Sequence, residues 1–179
     1  MKDPKVACII MVVAIVLSIL LGGHRSLSAE ASKVEDIFYN GVDGDGLGVN
    51  SDLSHRVELA YNMVTIAKRY LPADDVDIKQ VIGACSALEN SGNPSDKIRA
   101  NNELQLACVS LYERLEGFDL SQTDAEYRDD LMTNLYSRNH IISLDGYNQK
   151  ALEFNISLNR FPANILSRIT GIKPFALSQ

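Results

Sequence analysis

Residues 6–21 read VACIIMVVAIVLSILL, sixteen positions without a charge. With Gly22 and Gly23 the run reaches eighteen residues, close to the ~20 that a helix needs to cross the hydrocarbon core of a bilayer. Two readings of such a segment compete. One is a retained transmembrane helix. The other is a cleaved signal peptide, because Ala29-Glu30-Ala31 has the small-x-small form of a signal peptidase site. The retained helix is the better reading. The run exceeds the roughly 7–15 residues of a signal h-region, and the Ala31 site lies ten residues beyond Leu21. A lipoprotein is excluded, because Cys8 precedes most of the apolar run. The helix also continues: Leu27, Ala31, Val34 and Phe38 recur at spacings of four and three, which is one helical face. Lys2, Lys5 and the amino terminus face only His24 and Arg25 across the run. By the positive-inside rule this places the N-terminus inside and the following domain outside the cell membrane, in a single pass.

Beyond Tyr39 the reading changes. Asn40–Ser51, NGVDGDGLGVNS, carries four glycines and two aspartates and reads as a loop. Asp52 is the expected N-cap of the next helix, with Leu53, Val57, Ala60, Val64, Ala67 and Leu71 as its apolar stripe and Pro72 as its stop. Asp74-Asp75 opens a third helix to Asn90, lined by Ile78, Val81, Ile82, Cys85 and Leu88. Gly92-Asn93-Pro94 separates it from a fourth, Ser95–Phe118. Ser121 or Thr123 caps a fifth, which runs from Asp124 to Phe161 with only Gly146 to interrupt it and spans ~55 Å. Tyr127, Leu131, Leu135, Ile142, Asn148, Leu152 and Asn155 fall near heptad spacing on it, a coiled-coil-like seam in which Asn148 and Asn155 would fix register. Pro162 ends it, and the apolar tail folds back to cap the bundle. The fold class is therefore all-α: a transmembrane anchor (1–23), a juxtamembrane helix and Gly/Asp loop (24–51), and an antiparallel helical bundle (52–179) with one long C-terminal helix.

No set of residues looks catalytic. Asp43-Gly44-Asp45-Gly46 begins like a calcium loop, but an EF-hand needs an oxygen ligand at its fifth position and Glu at its twelfth, where Leu47 and Ser54 stand. A looser calcium site of Asp43, Asp45 and Asp52 is the remaining ligand-binding option; a flexible Gly-Asp turn explains the same residues better. His24, His55 and His140 are scattered, no G-x-S-x-G surrounds a serine, and the three cysteines form no C-x-x-C. In a helix 3–helix 4 hairpin, Cys85 and Cys108 would be offset by ~12 Å along the axis, too far for a disulfide. The net charge of -6 and the lack of a basic run argue against nucleic acid. No cofactor, metal or catalytic residue is assigned, and no enzyme is expected.

The C-terminal third is more specific. Tyr147-Asn148, Phe154-Asn155, Arg160-Phe161-Pro162-Ala163-Asn164 and Gly171-Ile172-Lys173-Pro174-Phe175 together resemble the C-terminal signature of the LemA family. Asp52–Tyr70, with Leu53, Arg56, Leu59, Asn62, Val64 and Tyr70, is similar to that family's second helix. The glycine loop at 40–51 and the Ser143-Leu144-Asp145-Gly146 stretch depart from the family pattern and mark a divergent branch. The resemblance implies an antiparallel bundle behind one membrane helix and no established enzymatic activity. It gives Phe161 and Phe175 the role of stapling the tail to the bundle. The resulting expectation is a membrane-anchored scaffold or interaction module with the bilayer and a protein, or another copy, as partners. The alternative is a ligand-binding or sensory module, with a groove between helices or the 43–52 loop as its site.

Overall fold

A computed structural model describes residues 4–178; Lys2, on which part of the orientation argument rests, lies outside them. The described residues form seven helices. The first, α1, is Pro4–Asn40, 37 residues without interruption. Its first half is apolar and uncovered by the rest of the protein, and it is long and apolar enough to cross a membrane. Its second half carries the predicted stripe: Val34 and Phe38 are buried in the core, and Leu27 and Ala31 pack against it. One rod thus joins an apolar segment to a folded domain.

The bundle follows as α2 (Val49–Ala67), α3 (Val76–Asn90), α4 (Pro94–Glu116), α5 (Gln122–Leu144), α6 (Gly146–Leu158) and α7 (Ala163–Thr170). Helix α2 is central and touches α1, α3, α4 and α5, while α3 and α4 form the predicted hairpin. The stripes read from the sequence are the core: Leu53, Val57, Ala60, Val64, Ala67, Ile78, Val81, Leu88, Ile98, Leu104, Leu111 and Leu115 are all buried. Caps stand where the sequence offers them. Asp75 accepts from the Asp77 amide, Asn93 from that of Asp96 and Ser121 from that of Asp124, each satisfying one of the free N–H groups of a first turn. Cys85 and Cys108 are free and fully buried, and burial pushes both thiols up to about 12.

Three expectations are corrected. Helix α2 begins at Val49 with Gly48 at its cap, so Asp52 lies inside the first turn. A side chain at Gly48 would strike the Phe38 carbonyl oxygen at 2.5 Å, so the tight α1–α2 corner requires glycine there.

The expected single helix over 124–161 is two. Asp145 is extended (φ -62°, ψ 146°), ends α5 and caps α6 through a 2.7 Å hydrogen bond from the Tyr147 amide to its carboxylate. A side chain at Gly146 would meet Val42 at 2.5 Å. The Asp-Gly pair thus breaks the helix where the α1–α2 loop presses in. The break lets the chain leave α2, on which α5 packs, and turn to α1, on which α6 packs. A continuous seam is impossible: Leu131, Leu135 and Ile142 are buried, but Tyr127 and Leu152 are exposed.

Finally, α6 stops at Leu158, and Pro162 caps α7 instead of ending the preceding helix. Phe161 is 81% exposed and staples nothing. Phe175 does, as described next.

Candidate functional site

Two polar assemblies and a smaller knot stand out from a largely apolar interior. The first crosses the middle of the bundle. Arg56 on α2 is fully buried. It donates to the Leu135 carbonyl of α5 and, at 2.7 Å, to Gln105 Oε1 of α4. One turn earlier on α2, Asp52 accepts from Arg138 of α5 at 2.7 Å. Asn101 of α4 donates to Asn139 of α5 at 3.0 Å. Three helices are therefore tied at one level. Desolvation holds the Arg56 guanidinium down to about 10, partly offset by Cys108; it remains charged at neutral pH, and no carboxylate among the described residues forms an ion pair with it. Arg56 was legible in the sequence only as part of the family likeness, since a lone arginine on a helix is ordinarily a surface residue.

A smaller knot closes the far end of the same helices. Asp124, in the first turn of α5, accepts from Tyr70 at 2.6 Å and from Arg69 at 2.5 Å. The Tyr70 hydrogen bond, then those of Ser121 and Arg69, hold its carboxyl below the usual carboxylate range. A carboxyl depressed in the folded state contributes stability above its ordinary pKa and loses it as pH falls through the depressed one. Asp124→Asn should therefore lower the melting temperature at neutral pH, and the gap to wild type should close in acid. Melting curves across an acid series check this; a gap that persists at the lowest pH would show that the carboxylate charge is not what matters.

The second assembly is a clamp on the C-terminal tail, and it engages the residues that look most distinctive in the sequence. Asn155 donates to the Phe175 carbonyl and accepts from the Phe175 amide, both at 2.8 Å. Asn148 accepts from the Ser178 amide at 2.9 Å and donates to the Ser178 carbonyl at 3.3 Å. Between them Tyr147 donates to the Ala176 carbonyl at 2.8 Å, and the Ala176 amide donates to Ser95 at the start of α4 at 2.9 Å. Neither asparagine sits in a helix–helix seam, as heptad spacing suggests, and neither is a free surface amide. Their spacing has another cause. Seven helical residues rise ~10.5 Å, and three residues of extended chain cover about 9–10 Å. Asn148 and Asn155 are thereby matched to Ser178 and Phe175.

Aromatic rings carry the clamp to α1. Phe38 meets Tyr147 edge-on at 5.1 Å, Tyr147 meets Phe175 at 6.4 Å, and Phe175 meets Phe154 at 5.4 Å. Burial pushes the Tyr147 hydroxyl well up, assisted by Glu35.

Comparison with known families agrees with this pattern of residues. A LemA family model matches residues 47–179. The chain belongs to the LemA family. No curated protein and no solved structure matches it. In this LemA chain five of the signature residues are accounted for as architecture: Tyr147, Asn148, Phe154, Asn155 and Phe175 build the clamp. Of the loop aspartates, Asp45 accepts from the Leu47 amide at 2.9 Å and shapes the turn, and Asp52 is committed to Arg138. The loop does not bring Asp43, Asp45 and Asp52 into a ligand set, and among the described residues no cluster of His, Cys, Asp or Glu could hold a metal ion.

Proposed function

We propose that this LemA protein is a membrane-anchored scaffold that works by holding a helical bundle at the bilayer and binding a protein partner or further copies of itself, without catalysis. The observation that carries the reading is the continuity of α1: the same helix supplies an uncovered apolar segment of membrane-spanning length and, through Val34 and Phe38, part of the bundle core. A flexible tether would leave the domain free to rotate. A shared helix fixes the domain's orientation relative to the spanning segment and its distance from it, which suits a platform for other proteins. The bundle offers them exposed apolar side chains, with Leu152 and Ile156 one turn apart on α6 and Tyr127 and Tyr136 on α5. In this reading the N-terminus is inside, the bundle is extracytoplasmic and the anchor is retained.

Crosslinking in intact membranes at native expression, followed by mass spectrometry, tests the scaffold. Discrete crosslinked species containing the bundle are expected; a strictly solitary monomer would remove the proposal. Orientation is read separately from Leu106→Cys, a 72% exposed position on α4. A membrane-impermeant maleimide should label it from outside intact cells, and labelling only after lysis would invert the topology. Intact mass from the membrane fraction should include residues 6–21.

A further inference from the structure

Helix α7 has a feature that the bundle does not use. It is seated on α1 by Leu166, which is buried against Gly23: a side chain at Gly23 would strike Leu166 Cδ1 at 2.4 Å. Gly23 is the last residue of the apolar, uncharged run. Val34, the first core residue of α1, lies eleven residues further along, ~16 Å at helical rise. Helix α7 is thus the part of the folded domain that stands closest to the apolar segment.

Its composition fits that place. Ile165 and Ile169, one turn apart, are 51% and 61% exposed, and Phe161, just before the Pro162 cap of the helix, is 81% exposed. At 100° per residue, Ile165 and Ile169 continue the apolar arc of Leu166, Arg168 flanks it, and Asn164 and Ser167 fall on the opposite side. The bundle leaves this arc bare. The charge is equally one-sided. Residues 154–179 contain Arg160, Arg168 and Lys173 and no acidic residue, in a chain whose net charge is -6. A short helix with one apolar side, flanked by cations and held at the end of a membrane-length helix, has the chemistry of an interfacial helix: apolar side chains enter the boundary of the acyl chains, and cations meet anionic headgroups.

We propose that Phe161 and α7 form a foot that lies in the bilayer interface, so that the domain contacts the lipid surface at a second point beside α1. The proposal rests on the membrane-anchored reading above. The foot and the helix together would fix the tilt of the bundle, which a single spanning helix leaves free.

The chain has no tryptophan, so one introduced indole reports alone. Full-length Phe161→Trp, Ile165→Trp and Ile169→Trp variants are reconstituted into vesicles of phosphatidylcholine and phosphatidylglycerol, with and without brominated acyl chains. Ile15→Trp reports the anchor and Leu106→Trp the distant surface of α4. The foot predicts blue-shifted emission and loss of emission to bromolipid at 161, 165 and 169, strong quenching at 15, and neither effect at 106. Quenching at 15 with water-like, unquenched emission at 161, 165 and 169 overturns the foot and leaves the anchor standing. Blue-shifted emission at these positions that is indifferent to bromolipid means that another copy of the chain covers them, and also overturns it. No quenching at 15 overturns the anchor and the foot together.

Discussion

Arg56→Ala is expected to destabilise the protein by about 3 kcal/mol. Three contributions add. The truncation removes buried methylenes at ~0.8 kcal/mol each. It leaves a cavity at the junction of α2, α4 and α5, which the surrounding helices refill only in part. It also orphans Gln105 Oε1, a partly buried acceptor that costs ~1–3 kcal/mol when unpaired. Relief from holding a charge out of water works in the other direction and keeps the sum from going higher. At roughly 2–4 °C per kcal/mol for a chain of this size, the melting temperature should drop by about 10 °C. The informative companion is Arg56→Met. Among the described residues no carboxylate pairs with the guanidinium and its Nε finds no partner, so its electrostatic return is small. An apolar chain of similar length fills the space without the desolvation cost, and buried charges replaced in this way are often neutral or better. Arg56→Met should melt within a few degrees of wild type and above Arg56→Lys, whose compact ammonium cannot reach both acceptors in one plane. If methionine proved as damaging as alanine, the hydrogen bonds to Leu135 and Gln105, and not the packing, would be what ties the three helices.

The contrast between Arg56 and its apolar neighbours shows what the sequence makes legible. Periodicity alone places Val57, Ala60 and Val64 in the core, because burial of a stripe is a one-dimensional signal with the period of the helix. The same signal misplaces the end of α5. Leu131, Leu135 and Ile142 continue smoothly toward Leu152, and nothing in a heptad count reveals that Val42 from a distant loop occupies the space beside Gly146. The Asp-Gly pair was visible, but its force depends on that tertiary neighbour. Arg56 is illegible for the same reason: its acceptors lie 79 and 49 positions away in the chain. The asparagines are an intermediate case. Their spacing of seven is plain, and it matches the period of a helix packing on a helix. It is equally the length of three extended residues, and only the path of the tail decides between the two. Phe175 as a staple follows from the family likeness, whereas Phe161 departs from what that likeness implies, because it lies in the turn between α6 and α7 and not against the core.

The tail clamp makes the second large prediction, and the strictest one, since it depends on a length. Asn155→Leu keeps the branched shape of the side chain but removes both hydrogen bonds to Phe175. With one amide and one carbonyl left without partners the expected cost is ~2 kcal/mol, limited by the option of the tail to lift into water. Hydrogen exchange localises the effect: the amides of Phe175, Ala176 and Ser178 should lose protection, while those of α3 and α4 keep it. Asn155→Asp separates donor from acceptor, because a carboxylate can accept from the Phe175 amide but cannot donate to its carbonyl; it should fall short of wild type. Deleting Ala176 tests the register itself. With Phe175 held by its rings, the deletion draws the following residues back by ~3.3 Å, and Ser178 can no longer reach Asn148. In that background Asn148→Leu should cost clearly less than in the full-length chain, a non-additivity that a double-mutant cycle measures directly. Full additivity would mean that Asn148 acts through Ser143 alone, to whose carbonyl it also donates at 2.8 Å, and that the match between seven helical and three extended residues is a coincidence. A positive coupling would make the spacing of the two asparagines a ruler for the tail, and would explain why Tyr-Asn and Phe-Asn on α6 belong to one signature with Pro174-Phe175 on the tail.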